Sequence, residues 1–165
     1  MITNAIRLVL TNVPAIMFVA ALLIAWLRHE PKSAPERYLA WFLLLSVGVQ
    51  GIWAGFFHIF YPHIASGEIG WDASPFEYEI GVADLSIGLV AVASFWRSLS
   101  FKSAVAAMAV LFYIGVAIGH FNQAFAHGNY SRDNFGLLLI ITLVSIPLLT
   151  WLVWASWRER EAGSR

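Results

Sequence analysis

The chain has 165 residues, 59% hydrophobic and 12% charged, with ten basic and ten acidic side chains and therefore no formal net charge. Its mean hydropathy of +0.71 exceeds what a soluble core absorbs, and apolar runs of about twenty residues match a helix crossing about 30 Å of hydrocarbon. Absence of cysteine excludes disulfides, thiolate metal sites and cysteine nucleophiles, and a neutral chain without a basic stripe does not suit nucleic acid.

The pattern predicts an all-α polytopic membrane bundle of about five transmembrane helices, with residues 1–165 forming one domain in the lipid bilayer. The first segment, Ala5 to Leu27, is too long for a signal-peptide core and reads as a retained helix, kinked at Pro14. The second runs from Pro35 to Tyr61 behind a capping box, Ser33-Ala-Pro-Glu36, and places Gly48, Gly51, Gly55 and His58 on one face. Pro62 to Ser74 reads as a polar connection. The third segment, Pro75 to Trp96, opens on a second capping box, Ser74-Pro-Phe-Glu77, which accounts for Glu77 as a cap. Glu77, Gly81, Asp84 and Gly88 share its face, with Glu79 expected at the headgroup boundary. The fourth, Ser103 to Ala126, contains Gly115-Val-Ala-Ile-Gly119 directly before His120, with Tyr113, Gln123 and His127 along the same stripe. Small residues at such spacings let membrane helices approach closely, so both glycine faces are expected to be helix contacts. The fifth, Asn134 to Trp157, contains Pro147.

Arg28, Lys32, Arg37, Arg97, Lys102, Arg158, Arg160 and Arg165 fall on one side, against Arg7 and Arg132 on the other. Cytoplasmic loops hold the excess of positive charge, so the N-terminus is expected outside and the C-terminus in the cytoplasm. No internal repeat is evident, which disfavours a transporter built from duplicated halves.

Ionisable groups inside a span are costly and face other helices or a cavity. The glycine faces would bring His58, Glu77, Asp84, His120 and Gln123 to similar depth near the outer face. Such a set suits Zn²⁺, Mn²⁺ or Fe²⁺, which accept mixed nitrogen and oxygen ligands, although the spacing matches no metal motif. It also suits proton transfer between histidine and carboxylate. Haem held between His58 and His120 ranks below both.

Several ordered pieces bear a resemblance. They are GFFH at Gly55 to His58, IGW-x-x-SPFEYEIGVADL from Ile69 to Leu85, G-x-x-x-GH from Gly115 to His120, Gly128-Asn129, and the apolar helix with Pro147. From Gly55 to Leu149 the chain resembles an uncharacterised family of small prokaryotic integral membrane proteins, known only as a domain of unknown function. The resemblance implies a prokaryotic inner-membrane location and puts His58, Trp71, Ser74, Pro75, Glu77, Glu79, Gly81, Asp84, Gly119, His120 and Asn129 at motif positions. The family pattern commonly has Gln at the place of Glu77 and Asn at that of Asp84, which gives relatively more weight to the two histidines and Glu79. It brings no activity.

The leading expectation is therefore a divalent metal held by His58, Glu79, Asp84 and His120, with Glu77, Gln123 and Trp71 as further polar-site residues. The alternatives are a proton- or ion-coupled carrier using Asp84 and His120, and a non-catalytic subunit of a larger membrane complex or homo-oligomer. No motif assigns a reaction, a substrate or a catalytic residue.

Overall fold

The computed structural model describes residues 9–28, 33–72 and 74–164. The main helices are α1 (Val13–Leu27), α2 (Ala34–Phe60), α3 (Pro62–Ile69), α4 (Phe76–Ser94), α5 (Leu99–His127) and α6 (Leu137–Gly163), and no strand occurs among the described residues. Arg7, Lys32, Arg165 and residues 5–8 of the expected first segment lie outside the described residues. Three helices, α2, α5 and α6, are long and apolar enough to cross a membrane. Only 28% of the most apolar stretch of α5 and of α6 is buried, so most of their apolar surface faces outward, as it does in a lipid solvent. α1 is shorter, and α4 carries Glu77, Glu79 and Asp84.

Local chemistry explains where several boundaries depart from expectation. Pro14 falls in the first turn of α1 instead of its interior, where its missing N–H removes no ladder bond and no kink follows. The connection expected from Pro62 to Ser74 holds a helix, since Pro62 starts α3 and Gly70, at φ 78°, ends it in the left-handed conformation. Neither Ser33 nor Ser74 caps a helix through its side chain. The side-chain cap is Ser98, which accepts from the Phe101 N–H and starts α5 four residues before Ser103. Pro147 lies within α6, as expected.

α2 and α4 form the closest pair, and their backbones meet through glycine. A Cβ built on Gly55 would lie 2.7 Å from both the Gly81 carbonyl oxygen and the Leu85 nitrogen, and one on Gly88 would lie 2.6 Å from the Ile52 nitrogen. Gly51 faces Gly88 at 3.2 Å by the same measure. The α2 glycine face is therefore the expected helix contact. Gly115 and Gly119 are not: nothing lies within 4 Å of a Cβ at either position, because this part of α5 borders open space. A small-residue spacing serves both purposes, and only the neighbouring helix decides between them.

The bundle is packed at one end and open at the other. Where α1 meets α2 and α4 meets α5, the closed end, Phe42, Leu43, Ala91, Leu99, Ala106 and Leu152 belong to one buried cluster. Its charged groups are tied down. Lys102, fully buried, sits 3.6 Å from Glu36 and donates to the Arg97 carbonyl, and the Arg37 Nε–H donates to the Ala25 carbonyl at 2.8 Å. Trp157 donates to Ser103 at 2.9 Å and links α6 to α5. Within α2 the stretch Leu43–Val49 is π-helical, a conformation that often marks functional segments, and Val47 within it and Gln50 just after it line the cavity described below.

Gly55→Ala should thus force α2 and α4 apart and lower stability by about 1–3 kcal/mol, the usual range for overpacking. Gly115→Ala should leave it unchanged or raise it by up to about 1 kcal/mol through helix propensity. Thermal midpoints in detergent check both, and equal losses would contradict the contrast.

Candidate functional site

The glycine contact of α2 with α4 also sets the first polar pair. A Cβ on Gly81 would lie 2.9 Å from the His58 Cβ, so only glycine there lets His58 rest against the first turns of α4. Glu77 stands in the first turn, where the helix dipole favours a carboxylate. His58 Nδ1 and Glu77 Oε2 are 2.6 Å apart, with the side chains 15% and 8% exposed. A carboxylate offers only acceptors, so Nδ1 carries the proton. Glu77, expected as a capping residue, is instead the partner of His58, because Ser74 makes no reciprocal cap and the histidine lies within reach.

The second histidine is held by a network that the sequence did not reveal. His120 Nδ1 lies 2.8 Å from Asn134 Oδ1. The Asn134 amide donates to the Asn129 carbonyl at 2.7 Å and to the His120 carbonyl at 3.4 Å, which orients its oxygen toward the ring and makes Nδ1 the donor. Asn129 in turn donates to the Ile69 and Gly70 carbonyls at 3.0 and 3.3 Å and accepts from the Ser131 N–H and hydroxyl. The end of α3 is thereby fastened to the turn between α5 and α6. Trp71, just beyond α3, lies with its ring 5.8 Å from that of His120.

Both imidazoles border the same cavity of about 550 Å³ at the open end, between α2, α4, α5 and α6. Asp84, Gln50, Tyr113, Trp71 and Thr142 line it too, with Gly115 and Gly119 forming part of the α5 wall. Neither His58 Nε2 nor His120 Nε2 has a hydrogen-bond partner among the described residues, and the Asp84 carboxyl makes no hydrogen bond to them. No fully buried side-chain nitrogen or oxygen among the described residues lacks a partner, so the Asp84 oxygens must be accessible from the cavity. A second cavity of about 490 Å³, between α1, α2 and α3, shares Gln50, Ala54, His58, Ile69 and Leu138 with the first. Asp133, which borders it from the α5–α6 turn, has its pKa raised above the usual carboxylate value, mainly by burial. Arg132 opposes that shift and Glu68 adds to it.

The structure thus brings His58, Asp84, His120 and Trp71 to one cavity, with Glu77 behind His58. Glu79 is exposed and stands outside it, because it lies on a different face of α4 from Asp84. Gln123 is half-buried and does not line the cavity; its backbone carbonyl accepts from Asn129. No group of three or more His, Asp or Glu side chains among the described residues is placed to hold one metal ion. The expected set of His58, Glu79, Asp84 and His120 is accordingly not gathered into a single coordination shell. Asn134, which the sequence suggested only as a segment start, is what orients His120.

A model of a family of unknown function, DUF6790, matches residues 11–162. The chain belongs to this family. No curated protein and no solved structure matches it. The family model spans every helix described here except the last residue of α6, so the cavity and both histidine anchors fall within it.

Glu77→Ala removes the acceptor for the buried His58 N–H and should lower stability by about 1–3 kcal/mol. Glu79→Ala, at an exposed position, should change it by less than about 0.5 kcal/mol. Unfolding in detergent distinguishes the two, and a Glu79 effect as large as that of Glu77 would contradict the pairing.

Proposed function

We propose that this is an integral membrane protein of five spans, α1, α2, α4, α5 and α6, whose working part is a ligand-receiving histidine and carboxylate cavity near the outer face. The observation that carries the reading is the matched anchoring of the two histidines. Each gives its Nδ1–H to a fixed oxygen, leaving an Nε2 lone pair for the same cavity. Single interhelical hydrogen bonds would hold a bundle together without aligning two imidazoles on one open space. The lysine and arginine asymmetry supports placing the closed end in the cytoplasm and the open end outside.

A divalent metal is the second reading. A histidine whose Nδ1–H is held by a carboxylate or carbonyl oxygen, with Nε2 free, has the arrangement usual for metal ligands. His58 and His120 would be the protein ligands, with Asp84 across the cavity. Since the three are not drawn into one shell, an ion would require α2 and α5 to close or further ligands to come from a bound molecule.

Diethyl pyrocarbonate, which acylates unprotonated imidazole nitrogen, tests the site. Both His58 and His120 should react in the folded protein, as read by peptide mass spectrometry. Zn²⁺ should protect both under the metal reading and neither where the cavity takes a ligand other than a metal ion. A folded protein in which neither histidine reacts would remove the site altogether.

Orientation has its own test, because the natural chain has no cysteine. Gly128→Cys should be labelled in intact cells by a membrane-impermeant thiol reagent, and Gly163→Cys only after the cells are opened. The reverse pattern would move the cavity to the cytoplasmic face.

A further inference from the structure

The cavity holds a carboxyl group and two unpaired imidazole nitrogens, and its side-chain donors come from the neutral groups of Gln50, Trp71 and Tyr113. The Asp84 carboxyl and the two Nε2 atoms are acceptors, and the lining holds neither Lys nor Arg. An anionic head would find no countercharge there, whereas a cation would meet a carboxyl group with no hydrogen-bond partner among the described residues, in a cavity that Trp71 and Tyr113 also line. Most of the remaining wall is aliphatic, including Val47, Ile69, Ile87 and Val116. Such a cavity suits an apolar body with one positive head.

Its opening points to where that ligand comes from. α4 and α5 share the buried cluster as far as Ile87 and Ala109, but beyond these residues toward the open end their facing positions border the cavity. Two of those positions also lie on the outside of the bundle, Ile80 at 44% and Leu111 at 71% exposure. Leu111 is about 18 Å along α5 from Leu99 at 1.5 Å per residue, which is hydrocarbon depth for a spanning helix. Glycine at 115 and 119 keeps the α5 side of this gap clear.

Resting on the cavity reading above, we propose that the ligand is a lipophilic amine, admitted from the bilayer through the gap between α4 and α5 and held by its cationic head at Asp84. A zwitterionic phospholipid is the wrong ligand, because its phosphate would enter a wall without a basic residue.

The test uses Gly119→Cys, where a new Cβ meets nothing within 4 Å, as the single cysteine of the full chain in phosphatidylcholine nanodiscs. The readout is the rate of maleimide labelling. Dodecylamine should slow labelling saturably, by tenfold or more, while dodecanoate, dodecanol and added phosphatidylethanolamine should not. Asp84→Asn in the same background should raise the dodecylamine concentration needed by at least tenfold, with Asp84→Glu restoring part of the effect. Ile80→Trp should delay the onset of protection.

Equal protection by dodecanoate, dodecanol or phosphatidylethanolamine would overturn the amine while leaving a ligand-receiving cavity in place. Failure of all four probes would overturn the inference alone, since the cavity reading is judged by histidine acylation. Protection that ignores both Asp84 variants would overturn the head site, and an onset unchanged in Ile80→Trp would overturn the lateral route.

Discussion

The backbone contact between α2 and α4 is the constraint on which the rest of the structure depends. On the five-span reading proposed above both helices lie in lipid, whose tails are as apolar as leucine, so they gain little from hiding side chains against each other and much from close van der Waals approach. Gly51 and Gly55 on α2, with Gly81 and Gly88 on α4, permit that approach. One consequence is chemical. With the helices this near, the His58 Cβ packs against Gly81, and its ring meets Glu77 at the point where the helix start already favours a carboxylate. A larger residue at Gly81 would disturb both the packing and the histidine, so the fold and the site share one determinant.

Polarity is sorted along the bundle axis. At the closed end Lys102 is engaged with Glu36 and with the Arg97 carbonyl in the α4–α5 turn, and Arg37 with the carbonyl of Ala25. Arg37 thereby satisfies a carbonyl in the last turn of α1, one of those that a helix leaves open at its C-terminus. At the open end the arrangement is reversed, with the polar groups half engaged. Each imidazole uses one nitrogen for structure and presents the other to the cavity, and the Asp84 carboxyl is accessible there. A group that only joined helices would need no free valence, which is why the open end reads as the working end and the closed end as its foundation.

The sequence made much of this arrangement legible, for identifiable reasons. Helical character follows from the long apolar runs, and the α2 glycine face follows from its three- and four-residue spacing. The meeting of His58, Asp84 and His120 on one cavity follows from the cost of polar groups in hydrocarbon. What was not legible depends on partners remote in the chain. Gly115 and Gly119 have the same spacing as a contact face yet border a void, because no helix lies against them. Glu77 fits a capping box by position but finds a better partner nineteen residues away in the chain. Asn134 resembles an ordinary residue at the start of a segment, and its role appears only once the α5–α6 turn folds it back on His120. α3 was concealed by its own punctuation, since the proline and glycine that bound it also signal a loop.

A cavity of about 550 Å³ in a chain of this size is itself an argument. Interiors are close-packed, and helix faces that stand apart make no dispersion contacts with one another. Filling it would need only ordinary residues at 115 and 119, where a side chain would meet no obstruction within 4 Å of its Cβ. Instead both positions carry glycine, the weakest helix former after proline, in a helix whose neighbouring turns are rich in alanine, isoleucine and valine. Two costs are therefore borne together at one place, lost packing and lost helix propensity, and both are borne beside the two imidazoles that line the cavity, each with one nitrogen unpaired among the described residues. A local breach of the packing rule at a chemically equipped wall is what a binding site requires and what a purely structural bundle would avoid. On the lateral route proposed above, the same glycines that leave the α4–α5 side thin make the surrounding lipid the cavity's nearest neighbour and the reservoir from which its site is filled.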